Sequence, residues 1–555
     1  MMENTARTGH ATHQPGVQHS MPLRRASRGP LVSVILPTYN RRRYLPEALS
    51  SVLRQTHRDL ELLVVNDGGE PVSDIVQSFA DPRIVFIDRR ENRGKPYSLN
   101  EALARARGRY IAYLDDDDVY YPYHVETLVN ALESETDCQV AYSDLFRSYC
   151  DIRPDGRRVI LAKHLEISRD FDRFMMFHFN HVLHVSLMHR RDLLDRTGPY
   201  NEHLNILIDW DLTRRFAFFT DFHHVPLVTG EYFCPVGTSD RISVTKRRDK
   251  REYFKNVMTI RMTRPPKPWP RVQDLAIVLL AEDADPLLPQ TMRQIWAHTF
   301  YPHRLYVPLS PAEASHMDLK GPNTEWVRVE PGSSSAERVD EVLRQTDAEC
   351  VAIVPGDLPI GDMWVENAVG TLVESQAPEA FLLDGSRPDR LAVVARRRDL
   401  VRARREHPRG SVGESLAAAG ISVREAGVSE WPFQFDMLLN HARSAEDEGD
   451  WVLAGEIFEY AAAHHGNGLW MRSEAARAFS EAGHSARAAT LSHEVNRERA
   501  TVDTLLIEAK GHRQQGAWDT ALNLLERAEV MLAHPYTPAT VPDERLCADN
   551  GFSQG

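Results

Sequence analysis

The stretch YIAYLDDDDVYYPYHVETLVNALE (110–133) runs from an apolar segment of strand length, through four consecutive carboxylates, into a helix-patterned segment. Four adjacent acids repel one another and ordinarily mark a solvated loop. Here they follow directly on a strand, and in open α/β sheets ligands gather at the carboxyl ends of strands. Hard oxygen donors at such a place suit a divalent cation, Mg²⁺ or Mn²⁺, which draws its remaining ligands from phosphate and water. A cation so held stabilises a departing diphosphate.

The upstream sequence supplies the sheet that this reading needs. VSVILP (32–37), ELLVVN (61–66) and RIVFID (83–88) are strand-length apolar runs. Between the first two, YLPEALSSVLRQT (44–56) places Leu45, Leu49, Val52 and Leu53 at helical spacing, with Pro46 in the first turn. YSLNEALARAR (97–107) is expected to be a helix capped at its C-terminus by Gly108. The alternation predicts βαβ units and a parallel sheet covered on both faces, a nucleotide-binding architecture. PTYN (37–40) and VVNDGG (64–69) close the first two strands on the edge that carries the acids. There Tyr39 offers a face to a base, and Asp67 offers a carboxylate to a base imide or a ribose hydroxyl.

Bulk properties exclude other classes. The chain has 555 residues, enough for three or four domains, and 42% of them are hydrophobic, so a largely disordered or fibrous protein is ruled out. A net charge of −13 argues against a protein built to hold nucleic acid. No run of 18 apolar residues is present to span a membrane, and residues 1–29 read as a polar leader without a signal-peptide core. The five cysteines have no CxxC pairing and read as reduced thiols. A cytoplasmic location is expected, with peripheral attachment at the inner face of a membrane left open. His181, His184 and His189 lie among Val, Leu and Met without a ligand partner at metal spacing, and are expected to be satisfied histidines of a buried strand.

Four segments taken in order, VSVILPTYNRRRYLPEALSSVLRQT, LELLVVNDGG, ENRGKPYSLNEALARARGRYIAYLDDDD and NILIDWDL, make residues 32–245 resemble a family 2 glycosyltransferase with the GT-A fold. The resemblance implies a nucleotide pocket lined by Pro37, Thr38, Tyr39, Asn40, Asp67, Lys95 and Asp116. It implies that Asp115 and Asp117 form the DxD pair that holds the metal, with Asp117 the direct ligand. The tetrad leaves the register ambiguous, since Asp116 or Asp118 is also placed to share that task. In the family's Glu-Asp-Trp-Asp-Leu stretch the aspartate after the glutamate is the general base. Here the stretch reads IDWDL, so Asp209 takes that position, Ile208 replaces the glutamate, and Asp211 is read as structural. Losing the neighbouring acid removes a charge that would raise the base's proton affinity. The implied activity is an inverting, metal-dependent hexosyl transfer of the kind used in polysaccharide biosynthesis. The donor would be a nucleoside-diphosphate sugar, UDP first by family frequency, and the acceptor a hydroxyl of a glycan or glycoconjugate.

The rest of the chain has its own organisation. RPPKPWPR (264–271), after the basic run KRRDKR (246–251), marks a stiff boundary. Beyond it the apolar framework repeats. At an offset of 243, Leu36, Pro46, Thr56 and Leu62 meet Leu279, Pro289, Thr299 and Leu305; at 240, IAYL (111–114) meets VAIV (351–354). The polar signature does not repeat, because PTYN becomes LAED (280–283), Asp67 becomes Ser310, and DDDD becomes PGDL (355–358) with only Asp357 acidic. A degenerate GT-A-like copy is therefore expected. Near the C-terminus Gly449, Gly483 and Gly516, spaced by 34 and then 33, each precede an alanine by five residues (Ala454, Ala488, Ala521), as in tetratricopeptide-like helix pairs. Such a stack would bind a protein partner or the acceptor. The expected division is a leader to 29, a catalytic domain over 30–263, a linker over 264–272, the degenerate copy over 273–430, repeats over 431–535 and a tail from 536. A sugar-1-phosphate nucleotidyltransferase and a non-enzymatic scaffold are the competing readings.

Overall fold

The computed structural model describes residues 29–153, 157–165, 168–236, 250–280, 287–314, 321–361, 363–375, 377–383, 386, 391–425, 432–464 and 468–533. The leader before Gly29, Lys246, Arg247, Arg248 and Asp249 of the basic run, Ala281, Glu282 and Asp283 of LAED, and the tail after Ala533 lie outside those residues.

The N-terminal sheet is built as the apolar runs require. Strands β1 (Val32–Thr38), β2 (Leu60–Asn66), β3 (Ile84–Asp88) and β4 (Tyr110–Tyr113) alternate with helices α1 (Leu45–Leu53), α2 (Ser73–Ser78) and α3 (Lys95–Arg105). Every residue of β1 and β2 is buried, as a continuous apolar strand covered on both faces must be. They pair in parallel in the order β3-β2-β1-β4. Then follow β5 (Val119–Tyr120), α4 (His124–Ser134), β6 (Val140–Ile152), β7 (Arg158–Leu165), α5 (Arg173–His178), β8 (Leu187–Arg190), α6 (Leu194–Thr197), α7 (Ile208–Phe216) and β9 (Phe222–Pro235). These extend the sheet as β4-β8-β6-β9-β5, with β7 paired to Phe146–Ile152 of β6, beyond the stretch that β8 covers. The result is a mixed α/β sheet, parallel over its first four strands as the sequence predicts.

Two local expectations need correction. Helix α3 stops at Arg105 and Ala106 is extended, so Gly108 is no helix cap. Its glycine is required by crowding instead, since a Cβ there would stand 2.5 Å from the backbone nitrogen of Ser33. The three histidines do not share a strand: His189 lies on β8, His184 on a single 3₁₀ turn, and His181 in the loop before it.

A second sheet follows: β10 (Leu275–Leu280), β11 (His303–Leu309), β12 (Thr324–Arg328), β13 (Cys350–Pro355), β14 (Glu379–Leu382), β15 (Val393–Arg396) and β16 (Ser422–Glu425). Its order, β12-β11-β10-β13-β15-β14-β16, opens like the first sheet. The ladders agree in register too. Val32 faces Leu60 and Leu275 faces His303, a separation of 28 residues in each case. The fourth strand of each sheet is flanked next by an antiparallel strand, β8 and β15 respectively.

The two sheets share one apolar core, to which Ile35, Tyr113, Phe177 and Phe218 contribute from one side and Ile277, Trp296, Tyr301 and Leu305 from the other. The proline stretch is wedged against this core. Arg264 donates to both oxygens of Asp274 at 2.6 Å, and the Trp269 ring meets Phe218 edge-on at 4.9 Å. The last described part is helical: Pro432–Asp447, Trp451–His464, Gly468–Glu481, Ser485–Arg499, Val502–Gln514 and Trp518–Ala533. Gly449, Gly483 and Gly516 turn the chain within successive helix pairs at φ of 81°, 81° and 78°, a left-handed conformation that glycine adopts without a Cβ penalty. Ala454, Ala488 and Ala521 are buried at the facing positions.

Candidate active site

The acidic loop between β4 and β5 sits at the carboxyl end of the parallel strands. Carboxylate oxygens of Asp115, Asp117 and Asp118 all lie within 4.8 Å of one another, the only such grouping of potential ligands among the described residues. Three hard oxygen donors at that separation fit a Mg²⁺ or Mn²⁺ ion. Asp118 also accepts from the backbone N–H of Phe233 at 2.9 Å, which ties the loop to β9. Asp116 turns away from its neighbours and accepts from Thr38 Oγ1 at 2.6 Å. Burial, reinforced by the charge of Asp117, pushes its pKa up to about 7.

The loop after β1 holds the opposite wall. Pro37 and Thr38 end the strand buried, whereas Tyr39 is 47% exposed and free to meet a planar ligand. Asn40 adopts a left-handed conformation (φ 55°) and accepts from the backbone of Glu70 at 2.9 Å. Asp67 lies deeper than a ligand-facing acid needs to be. It accepts from the backbone N–H of Arg93 at 2.9 Å and of Gly94 at 2.8 Å, from Asn92 Nδ2 at 3.2 Å, and pairs with Arg89 at 2.7 Å. These donors fix the loop that carries Lys95.

Lys95, at the start of α3, places Nζ 2.5 Å from Asp115 Oδ1. Burial lowers its pKa, but Asp115, together with Asp209 and Asp117, outweighs that and the net shift is upward. Its field thus spans both the acidic loop and the first turn of α7. Asp209 sits in that turn, after Leu207 in a left-handed conformation (φ 58°), a strained position for a leucine that only the surrounding packing sustains. Burial raises the pKa of Asp209, and the Lys95 ammonium opposes the rise. One carboxylate oxygen, Oδ2, accepts from Asn180 Nδ2 at 2.8 Å. Asp211, two residues on, points into the core and pairs with Arg215 at 2.7 Å. Its role there is that of a buried counter-ion.

Three contributors were not singled out in the sequence. Arg41 follows PTYN directly and pairs with Asp117. Arg158 lies flat between the rings of Tyr44 (4.3 Å) and Phe233 (4.1 Å), and donates to the Asp117 carbonyl at 2.7 Å and to Glu47 at 3.0 Å. Asn180 is the third. Arg41 could be sought by its position beside the motif, whereas Arg158 and Asn180 belong to stretches without pattern. The expectation of satisfied histidines holds for His189, whose Nε2 meets Tyr113 Oη at 2.8 Å and whose Nδ1 meets the Arg190 carbonyl at 2.8 Å, but not for the other two. His184 Nε2 meets Tyr200 Oη at 2.7 Å, while the Nδ1 atoms of His184 and His181 are buried without a partner among the described residues. Burial lowers the pKa values of His189 and His184, to about 4 and about 3, which keeps the rings neutral.

Residues 33–192 match the family model described as glycosyl transferase family 2. An uncharacterized glycosyltransferase of Rickettsia prowazekii, RP339, is 30% identical over 196 residues, 34% of this chain and 58% of that protein. The putative teichuronic acid biosynthesis glycosyltransferase TuaG of Bacillus subtilis is 36% identical over 146 residues, 26% of this chain and 56% of that protein. The chain thus spans less than two thirds of the length of either relative. Among solved structures, S. aureus TarS 1–349 in complex with UDP-GlcNAc aligns at 17% identity and TM-score 0.34, over 42% of this chain and 68% of that one. The mannosyltransferase PcManGT from Pyrobaculum calidifontis, in complex with GDP-Man and Mn²⁺, aligns at 21% identity and TM-score 0.31, over 43% and 66%. The likeness to family 2 glycosyltransferases is thus carried by residues 33–192.

Proposed function

We propose that the chain is an inverting, metal-dependent glycosyltransferase with one working site. Its donor is a nucleoside-diphosphate sugar, with UDP the first nucleotide to test, and its acceptor is a hydroxyl of a glycan or glycoconjugate. The observation that carries this reading is the bridging position of Lys95, whose ammonium pairs with Asp115 and lies in the field of Asp209. One compact site then offers an acidic clamp for the leaving diphosphate and a carboxylate to take a proton, as single displacement requires. A divalent cation at Asp115, Asp117 and Asp118 would neutralise the departing diphosphate. Tyr39 stacks on the base, while Asp67 acts through the loop it anchors. Lys95 supplies a positive charge to the phosphates, and Asp209 accepts the acceptor's proton. A glycan acceptor is in keeping with the name of TuaG.

The second sheet is read as a copy without a site. At its second strand end Ser310 stands where Asp67 does, and its N–H donates to Glu313 at 2.6 Å. Arg338 pairs with Glu313 at 2.8 Å and donates to the Pro308 carbonyl at 2.8 Å, so the polar groups at this strand end are engaged with one another. The helical pairs at the C-terminus are read as tetratricopeptide-like.

The test is calorimetric titration of UDP, GDP and dTDP, with and without Mn²⁺, on the wild type and on Asp117→Ala. Metal-dependent binding of one nucleotide that disappears in the variant is expected. Binding of none of them overturns the proposal, and undiminished binding in the variant moves the site away from the acidic loop.

A further inference from the structure

We propose that Asn180 is the positioning residue of Asp209, aiming one carboxylate oxygen at the acceptor by occupying the other; this rests on the reading of Asp209 as the base. The amide of Asn180 has a fixed orientation. Its Oδ1 accepts the backbone N–H of Val182 at 3.2 Å, so the NH₂ end must face Asp209, where Nδ2 donates to Oδ2 at 2.8 Å. A second link runs beside the first, because the Trp210 indole N–H donates to the Met176 carbonyl at 2.7 Å. Helix α7, which carries the base, is thereby bolted at two consecutive residues to the segment 176–180.

That segment is itself held from two other parts of the chain. Phe174 and Phe177 meet the Tyr301 ring, just ahead of β11, at 5.2 and 5.9 Å, and His178 meets Phe300 at 4.8 Å. Met175 is fully buried within the core of the helical region, and Phe179 packs against that core. Asp172 caps the start of α5 by accepting from the Met175 N–H at 2.7 Å. The amide of Asn180 therefore sits on a rigid mount.

The chemistry follows from the donated hydrogen bond. An N–H on Oδ2 favours the ionised carboxylate and locks its rotamer. In transfer, the acceptor O–H bond breaks and its proton goes to the remaining oxygen, Oδ1. The acceptor oxygen bonds the anomeric carbon, and the bond to the diphosphate breaks with its electron pair on the leaving oxygen. Without the amide the carboxylate binds its proton more tightly and rotates more freely.

The test uses water as acceptor. Mn²⁺-supported release of nucleoside diphosphate from the donor sugar nucleotide that binds is followed against pH in the full-length wild type, Asn180→Ala, Asn180→Asp, Asn180→Ser and Asp209→Asn, with nucleotide affinity measured beside it. Asn180→Ala is expected to lower turnover by about 10–100-fold, the usual range for residues that orient a ligating or reacting group. It should also move the acidic limb to higher pH, Asn180→Asp further still, while nucleotide affinity holds and Asn180→Ser recovers part of both effects. Should Asn180→Ala fail to fold, Asn180→Ser decides, with a smaller shift in the same direction expected. An unmoved acidic limb, with Asp209→Asn inactive, overturns the positioning role alone. Turnover that survives Asp209→Asn overturns the base and this inference together.

Discussion

Lys95 and Asp115 form an ion pair at 2.5 Å that sets a positive charge between the acidic loop and Asp209 at the start of α7. Because Lys95 lowers the proton affinity of Asp209 while burial raises it, its removal acts in two places. Lys95→Met is expected to weaken nucleoside-diphosphate binding by on the order of tenfold or more, as loss of a charge-assisted contact does. It should also shift the acidic limb of turnover upward. The sign follows from Asp209, which must be ionised to accept a proton and whose pKa then loses its main lowering influence. Calorimetry and a pH–rate profile check the two parts separately.

The two sheets give opposite expectations for matched acids. Asp117→Ala should abolish the metal dependence of nucleotide binding. Asp357→Ala, at the matching place in the second sheet, should leave titrations with nucleotide and Mn²⁺ unchanged. A loss in the second variant would mean that the later sheet also binds ligand.

Asp209 and Asp211 are two residues apart and should fail differently. Asp209→Asn should bind donor and remain folded but lose transfer. Asp211→Ala strands Arg215 in the core, where it otherwise pairs at 2.7 Å and donates to the Thr197 and Gly198 carbonyls. A buried charge left without its partner costs about 3–5 kcal/mol, which chemical denaturation would read as a lower midpoint.

Gly483→Ala places a Cβ at φ 81°, where no neighbour lies within 4 Å, so the penalty is conformational alone. Destabilisation of about 1 kcal/mol or somewhat more is expected, visible as a fall of a few degrees in the melting of the helical region. Turnover at low temperature should stay as in the wild type.

The parallel strands were legible because each is a continuous apolar run, and a strand buried on both faces leaves no other pattern to confuse with it. The acidic tetrad was legible because charge at a strand end has few structural uses. Asp67 was legible as important but not in its placement: its oxygens take backbone and side-chain donors from 89–94, a tertiary closure that no local sequence encodes. The placement of residues 172–180 was not legible, since the partners that hold them include Asp209, Tyr301 and the helical core. Asn180 gains its role only when α5 is pinned against Tyr301 and the helical core. Gly108 misled because the sequence does not distinguish a glycine needed for a turn from one needed for closeness.

The matched ladders agree over one connection and part over the next. The first two strands of each sheet are 28 residues apart in both, yet Leu62 faces Ile84 across 22 positions and Leu305 faces Thr324 across 19. The shared frame holds through the first two strands of each sheet, and the three-residue difference falls between the second and third strands. In the first sheet that interval holds Asp67 and the turn after it. The second sheet is thus three residues shorter between its second and third strands, while the ladder between its first two keeps the same step. The two sheets share the length of the connection between their first two strands and differ in the one that leaves the second.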